Sequence, residues 1–300
     1  MKAEVGVAPG SVAGTIRDYV ALTKPRIIVL LLITTWAAML VAARQAPPAG
    51  LTLLTMLGGA LSAGSANTLN MYLERDRDQL MDRTRNRPLP SGRLAPVNAL
   101  VFGIVLGVLS FVILAVGVNL VAALLATAGL LSYVFMYTWW LKPRSVHNTL
   151  AGGIAGAMPP LVGWAAITGR VDLAAVFLFA IVFFWELPHT WALATLRLDD
   201  YARAGFPMMP VVAGLPSTRR QSMFYSIIMV ASSLGLYFTG TLGWLYLAAA
   251  VLLGGGFLYS AWRYLRDEGM GAAKLLFRYS TLYLAFLFFA MVVDAVLPTT

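Results

Sequence analysis

Asn70, Glu74, Asp78 and Asp82 recur at every fourth position, and Arg83, Arg85 and Arg87 follow them directly. On a helix each such step drifts only ~40° and rises ~6 Å, so all four side chains can share one face. Carboxylates stacked on one strip repel each other unless a cation lies between them. Their oxygens suit Mg2+, and arginines fork onto phosphate oxygens. The chemistry expected of this run is therefore capture of a diphosphate, with Asn70, Glu74, Asp78 and Asp82 as metal ligands and arginines neutralising the rest. A solvated helix end whose charges pair among themselves is the competing reading. The strict register, and its place at the end of an apolar stretch, favour the site.

A second constellation lies further along, in Trp185-Glu186-Leu187-Pro188-His189-Thr190-Trp191 and then Arg197, Asp199, Asp200 and Tyr201. Counting 1.5 Å per residue places Glu186 near the middle of an apolar span. An ionisable group there is costly and faces a cavity rather than lipid. Glu186, His189, Leu193, Arg197 and Asp200 step by three or four, which predicts a polar stripe from cavity floor to rim. Pro188 removes a backbone donor and predicts a kink that frees the carbonyl of Phe184. His189 reads in two ways, as an anchor for a large planar substrate or as a buried imidazole bonded to Glu186 or a freed carbonyl. His147, beside Asn148, reads as a loop or capping residue. Two histidines do not make a zinc site.

These groups must be positioned by a membrane protein. The 300 residues are 59% hydrophobic and 12% charged, with mean hydropathy +0.77; soluble domains carry roughly twice that charge. Nine apolar stretches are long enough to span, at about 27–43, 51–73, 97–117, 119–140, 149–169, 171–196, 222–240, 242–261 and 275–297. Breaks are expected at Pro47-Pro48, Pro88-Leu89-Pro90, Lys142-Pro143 and Leu215-Pro216. If loops alternate sides, 20 of the 22 Lys and Arg fall on one side, leaving Arg44 and Arg170 opposite. That asymmetry places the N-terminus and loops 74–96 and 197–221 in the cytoplasm. The net charge of +9 then reflects topology and contact with anionic lipid, not nucleic-acid binding.

No cysteine is present, which excludes disulfides and thiol chemistry. Residues 1–25 lack the continuous apolar core of a cleavable signal and make a weak transit peptide, so a bacterial cytoplasmic membrane is favoured over a mitochondrial one. Lys24-Pro25-Arg26 recurs as Lys142-Pro143-Arg144, 118 residues later, and the same shift carries Asp82 onto Asp200. This suits a single all-α domain over 1–300, built as two four-helix halves over a shared cavity with a ninth helix outside. Gly103, Gly107, Gly152, Gly153, Gly156 and Gly163 read as close helix packing.

Asn70-x3-Glu74-x3-Asp78-x3-Asp82-Arg83-Thr84-x2-Arg87-x4-Gly92 resembles the signature of the UbiA-type intramembrane prenyltransferases. Other segments are similar to the branch of that family that farnesylates protohaem. They are Leu22-Thr23-Lys24-Pro25-Arg26, Tyr137-Thr138 with Leu141-Lys142, and the run from Gly152 through Pro159-Pro160 to Gly163-Trp164. Pro188-His189, Asp200-Tyr201-x2-Ala204-Gly205-x-Pro207-Met208-x-Pro210 and Lys274-Leu275-x-Phe277-Arg278-Tyr279-Ser280 complete them. Arg77, Glu74, Glu186 and Thr190 depart from the pattern, and the superfamily's second pair of spaced aspartates is reduced to Asp199-Asp200.

The resemblance implies transfer of farnesyl from farnesyl diphosphate to a vinyl group of haem B, with Mg2+ as cofactor and water completing the product. It implies catalytic roles for Asn70, Glu74, Asp78, Arg83, Arg87 and Asp200. Substrate contacts are expected from Lys24, Arg26, Lys142, Arg144, Tyr137, Asn148, Trp185, Glu186, His189, Arg197, Asp199 and Tyr201. Tyr133, Tyr137 and Trp185 are the aromatic faces suited to an allylic cation. Haem A synthase or terminal-oxidase assembly factors are the expected protein partners. A quinone-type prenyltransferase and a secondary transporter are the alternatives. The crowding of charge on one side speaks against transport.

Overall fold

The computed structural model describes residues 12–82, 84–267 and 269–297; Arg83 lies outside the described residues. Every element among them is helical. A short α1 (Val12–Thr23) precedes α2 (Pro25–Ala43), α3 (Ala49–Asp78), α4 (Pro96–Gly117) and α5 (Leu120–Leu131), which continues as a π-helix over Ser132–Leu141. Then come α6 (Asn148–Thr168), α7 (Leu173–Leu196), the short α8 (Leu198–Arg203) and α9 (Met209–Val212), α10 (Gly214–Tyr237), α11 (Trp244–Arg266) and α12 (Met270–Val296).

Among the described residues eight helices are long and apolar enough to cross a membrane, which makes the chain a multi-pass membrane protein. The expected seventh span is there as α10, 24 residues long, but its first turns carry Ser217, Thr218, Arg219, Arg220, Gln221 and Ser222 and dilute its apolar character. It begins at 214 rather than 222 because Pro216 sits in its first turn, where a missing N–H costs nothing. The chain break therefore falls at Ala213. Pro159, Pro160 and Pro188 lie inside continuous helices.

Helix α3 packs along α4, α2 along α6, and α7 along α10, with α11 against α10 and α12. Small residues allow the close crossings. Ser65 Oγ donates to the carbonyl of Gly103 at 2.7 Å and Ser110 Oγ to that of Gly58 at 2.7 Å. A Cβ on Gly163 would lie 2.1 Å from the Thr35 carbonyl oxygen, so α2 and α6 meet only because that position is bare. Helix α12 is not an outer addition. It packs on α7, α11 and α2, and its Leu276, Tyr283, Leu287 and Met291 are fully buried in the largest apolar cluster. Large apolar side chains such as Val101, Val108, Leu252 and Phe289 face outward, as lipid requires.

Two smaller clusters fasten the charged end of the bundle. Leu22, Met71, Leu89, Leu94 and Ala99 tie α1 and the segment after α3 to α4. Met81, Ala194, Ala204, Phe206 and Met208 join that same segment to the one after α7.

Candidate active site

Helix α3 runs beyond the apolar stretch as far as Asp78, and it buries Asn70, Glu74 and Asp78 to 2%, 7% and 2% exposure. Each meets a cation from a different part of the chain. Lys24 Nζ donates to Asn70 Oδ1 at 2.8 Å, Lys142 pairs with Glu74, and Arg87 Nη1 donates to Asp78 Oδ2 at 2.7 Å. Lys24 and Lys142 are the two lysines of the repeated Lys-Pro-Arg, so the internal repeat converges on one helix face. Lys24 occupies the left-handed region, φ 55, immediately before Pro25, a strained conformation for a residue with a Cβ.

Burial, then the charge of Arg87, press the Lys24 ammonium down to about 7, against the opposing pull of Glu74 and Asp78. Burial works to lower Lys142 as well. There the charge of Glu74, with Tyr133 and the hydrogen bond to Glu74, outweighs it and holds Lys142 above its ordinary value.

The π-helix positions the opposite wall. Closure from Lys142 N to Tyr137 O at 2.8 Å widens the last turns. Asn70 Nδ2 then donates to Thr138 Oγ1 at 3.1 Å. Tyr133 and Tyr137 lie with ring centroids 5.2 Å apart, and Lys142 Nζ stands 5.3 Å from the Tyr137 ring and 4.8 Å from that of Phe206. Gly152 leaves room for Tyr137: a Cβ there would lie 3.2 Å from its ring. Thr138, Phe206 and Asn67, which donates to the Thr23 carbonyl at 2.9 Å, were not singled out from the sequence. Only Thr138, beside Tyr137 in a matching segment, carried a signal.

Below the strip opens a cavity of about 320 Å3, walled by apolar residues including Ile27, Leu31, Leu130, Met158 and Pro159, with Asn67, Tyr133, Tyr137 and Glu186 as its larger polar groups. Glu186 Oε1 accepts from Thr190 Oγ1 at 2.8 Å.

Several expected members stand elsewhere. Asp82 lies past the end of α3, so the fourth step leaves the strip. It is exposed and pairs with Arg85 and Arg203, both at 3.4 Å. Arg203 also holds Asp200 at 2.5 Å, so the two aspartates related by the 118-residue shift meet on one guanidinium at the rim. Arg197 lies 3.6 Å from Asp200, Asp199 is exposed, and Tyr201 packs against the Met81–Phe206 cluster. Arg26 is exposed. Arg144 is exposed too and turns back to the Trp139 carbonyl at 2.7 Å, away from the strip. Asn148 is fully buried and donates to the carbonyls of Ser145 and Pro207, which pins that loop. His147 precedes α6 without a capping bond.

The polar stripe on α7 divides. Glu186 faces the cavity, whereas His189 bonds neither to Glu186 nor to a freed carbonyl. Its Nδ1 lies 2.7 Å from Ser280 Oγ, and its ring sits between Trp185 and Phe277 at 4.4 and 4.7 Å. Trp185 Nε1 donates to the Ser280 carbonyl at 2.6 Å. Both side chains thus belong to the α7–α12 seam.

No three His, Cys, Asp or Glu side chains among the described residues are grouped closely enough to cage a metal. The strip instead offers one carboxamide and two carboxylates, each already satisfied by a positive side chain. Such a donor set suits an ion that takes one or two carboxylates and completes its shell with phosphate oxygens and water, the habit of Mg2+.

The site is thus a set of paired acidic and basic side chains above an apolar chamber in a membrane-spanning helical bundle. Residues 31–291 match the model of the UbiA prenyltransferase family, and the chain belongs to that family. It is similar to the protoheme IX farnesyltransferase of Symbiobacterium thermophilum, at 55% identity over 93% of this chain and 94% of that protein. It is 52% identical to the protoheme IX farnesyltransferase of a Roseiflexus species over 94% of its own length, spanning 53% of that longer protein. The fold matches a digeranylgeranylglyceryl phosphate synthase structure with TM-score 0.81 at 18% identity, covering 94% of this chain and 98% of that one. A UbiA homologue from Archaeoglobus fulgidus bound to DMAPP and Mg2+ matches with TM-score 0.61 at 16% identity, covering 91% and 99%.

Proposed function

We propose that this protein transfers the farnesyl group of farnesyl diphosphate to a vinyl carbon of haem B, with addition of water, giving haem O and diphosphate. It does so in a bacterial cytoplasmic membrane, with the strip of α3 on the cytoplasmic side and all nine long helices spanning. The observation that carries this reading is the convergence of Lys24, Lys142 and Arg87 on Asn70, Glu74 and Asp78 above a cavity of about 320 Å3. Relatives that match over almost the whole of this chain, such as those of Symbiobacterium and Roseiflexus, are protoheme IX farnesyltransferases, which supports haem as acceptor.

Asn70, Glu74 and Asp78 would hold Mg2+, the ion with which, together with DMAPP, the Archaeoglobus homologue was solved; when bound, it supplies the charge that lets diphosphate depart. Lys24, Lys142 and Arg87, together with Arg83, bind the diphosphate oxygens and stabilise the charge that develops as the allylic C–O bond breaks. The apolar wall receives the farnesyl tail and keeps bulk water from the cation. Tyr133 and Tyr137 present their faces to it. Attack by the vinyl group forms the new C–C bond and leaves a cation beside the porphyrin, which water captures.

The test is incubation of purified protein with haem B, farnesyl diphosphate and Mg2+, and mass analysis of the extracted haem. A haem heavier by farnesyl plus hydroxyl is expected, and none from Asp78→Ala. Unchanged haem, with diphosphate released when an aromatic acid is supplied instead, would transfer the chain to the quinone-type prenyltransferases.

A further inference from the structure

Of the donors on the strip, Asn70 alone has two unlike ends. A carboxylate presents oxygen whichever way it turns, so Glu74 and Asp78 serve a cation in either flip. A half-turn of the Asn70 carboxamide would instead aim N–H donors at it, with almost no change of shape. Two contacts fix the turn: Lys24 Nζ donates to Oδ1 at 2.8 Å, and Nδ2 donates to Thr138 Oγ1 at 3.1 Å. In the proposed reaction Lys24 serves phosphate, which leaves Thr138 to hold the carboxamide. Both side chains are buried, Asn70 at 2% and Thr138 at 4% exposure, so bulk water does not stand in for a lost partner. Thr138 reaches Asn70 through the winding of its own helix. At ~100° per residue, as in an α-helix, Tyr133, Tyr137, Thr138 and Lys142 would spread over about half the circumference. Closure over five residues, with Lys142 N on Tyr137 O at 2.8 Å, turns each residue less and gathers the four side chains within ~90°. Thr138 and Lys142, four apart, then meet Asn70 and Glu74, also four apart.

We propose that Thr138 is a positioning residue for metal capture: by accepting from Asn70 Nδ2, it keeps the carboxamide oxygen turned with the carboxylates of Glu74 and Asp78. The inference rests on the proposed role of the strip in holding Mg2+, and not on haem as acceptor. Without the Thr138 hydroxyl, Nδ2 is a buried donor with no acceptor, and the carboxamide turns to find one. Its oxygen then leaves the strip. Thr138 acts through Asn70, so its effect falls on affinity for the ion rather than on bond breaking. A carboxylate in place of Asn70 would need no such partner.

The experiment titrates Mg2+ into purified protein with farnesyl diphosphate and no haem, and follows the thermal shift. Wild type is compared with Thr138→Val, Thr138→Ser, Asn70→Asp, and Asn70→Asp combined with Thr138→Val. Loss of a group that orients a metal ligand weakens affinity ~10–100-fold, so Thr138→Val is expected to raise the half-saturating Mg2+ by about tenfold or more. Thr138→Ser, which keeps the hydroxyl, should titrate as wild type. In turnover assays the Thr138→Val loss should be recovered at high Mg2+, a change in metal requirement rather than in kcat. In the Asn70→Asp background Thr138→Val should cost little, and that non-additivity separates orientation from packing. An unchanged Mg2+ requirement in Thr138→Val overturns the proposal, and so does an equal loss in both backgrounds. Should Thr138→Val not fold, Thr138→Ala replaces it, and the same two results decide. Wild type without a Mg2+-dependent shift refutes the proposed diphosphate site, and this inference with it. A shift with haem left unchanged refutes only the acceptor, and the titrations still decide on Thr138.

Discussion

Asp78 and Asp82 are four residues apart and lie in different environments, one 2% exposed and clasped by Arg87, the other on the rim beside Arg203. Asp78→Ala should lower turnover by several kcal/mol, on the order of 100-fold or more. Asp82→Ala should cost at least about tenfold less, since exposed pairs contribute little; steady-state rates with farnesyl diphosphate check both. The pair of Lys142 and Glu74, 14% and 8% exposed, adds a stability prediction. Lys142→Met strands a buried carboxylate and should destabilise by ~3–5 kcal/mol, with much of it regained when Glu74→Gln is added. Unfolding in detergent measures the difference. The four-residue register made Asn70, Glu74 and Asp78 legible, because periodicity on a continuing helix predicts a face. It failed at Asp82 because the helix stops at Asp78, and periodicity carries no information about where a helix ends. Spacing likewise put His189 and Glu186 on one stripe. A three-residue step turns ~60° short of a full circle, enough to aim one side chain at the cavity and the other at α12.

At the scale of elements, two close fits should be sensitive. Gly163→Ala drives a methyl group into the backbone of α2 and should cost ~1–3 kcal/mol by overpacking. Asp294 accepts from Gly243 N at 2.5 Å and Tyr246 N at 3.0 Å, capping α11 from α12. Asp294→Ala should therefore cost ~1–2 kcal/mol, read from the same unfolding experiment. Most of the long apolar helices were legible to within about five residues because membrane thickness sets their length, whereas α10 starts at Gly214 rather than at 222 because its first turns are polar. The π-helix was not. The stretch Ser132–Leu141 is aromatic on all sides, so its pattern does not distinguish 3.6 residues per turn from a wider coil, and contacts with Asn70 and Glu74 decide.

For the whole molecule, the segregation of 20 of 22 Lys and Arg predicts one orientation. The absence of cysteine makes this simple to check, since single exposed thiols can be added at Asn86 and Ala46. An impermeant maleimide applied to intact cells should label Ala46→Cys, and label Asn86→Cys only after the membrane is opened. The reverse pattern would invert the topology.

Three ammonium or guanidinium groups already sit on Asn70, Glu74 and Asp78, the side chains proposed to hold Mg2+. In the resting protein each ligand of the incoming substrate complex is thus engaged by what must later hold the opposite half of that complex. On the proposed reading, loading would be a change of partners: Lys24, Lys142 and Arg87 would serve phosphate oxygens, and Asn70, Glu74 and Asp78 would be the residues to hold Mg2+. Either ligand alone has to break a favourable pair without supplying its replacement. The two should consequently bind weakly apart and tightly together, each raising the other's affinity by one and the same factor, as linkage demands.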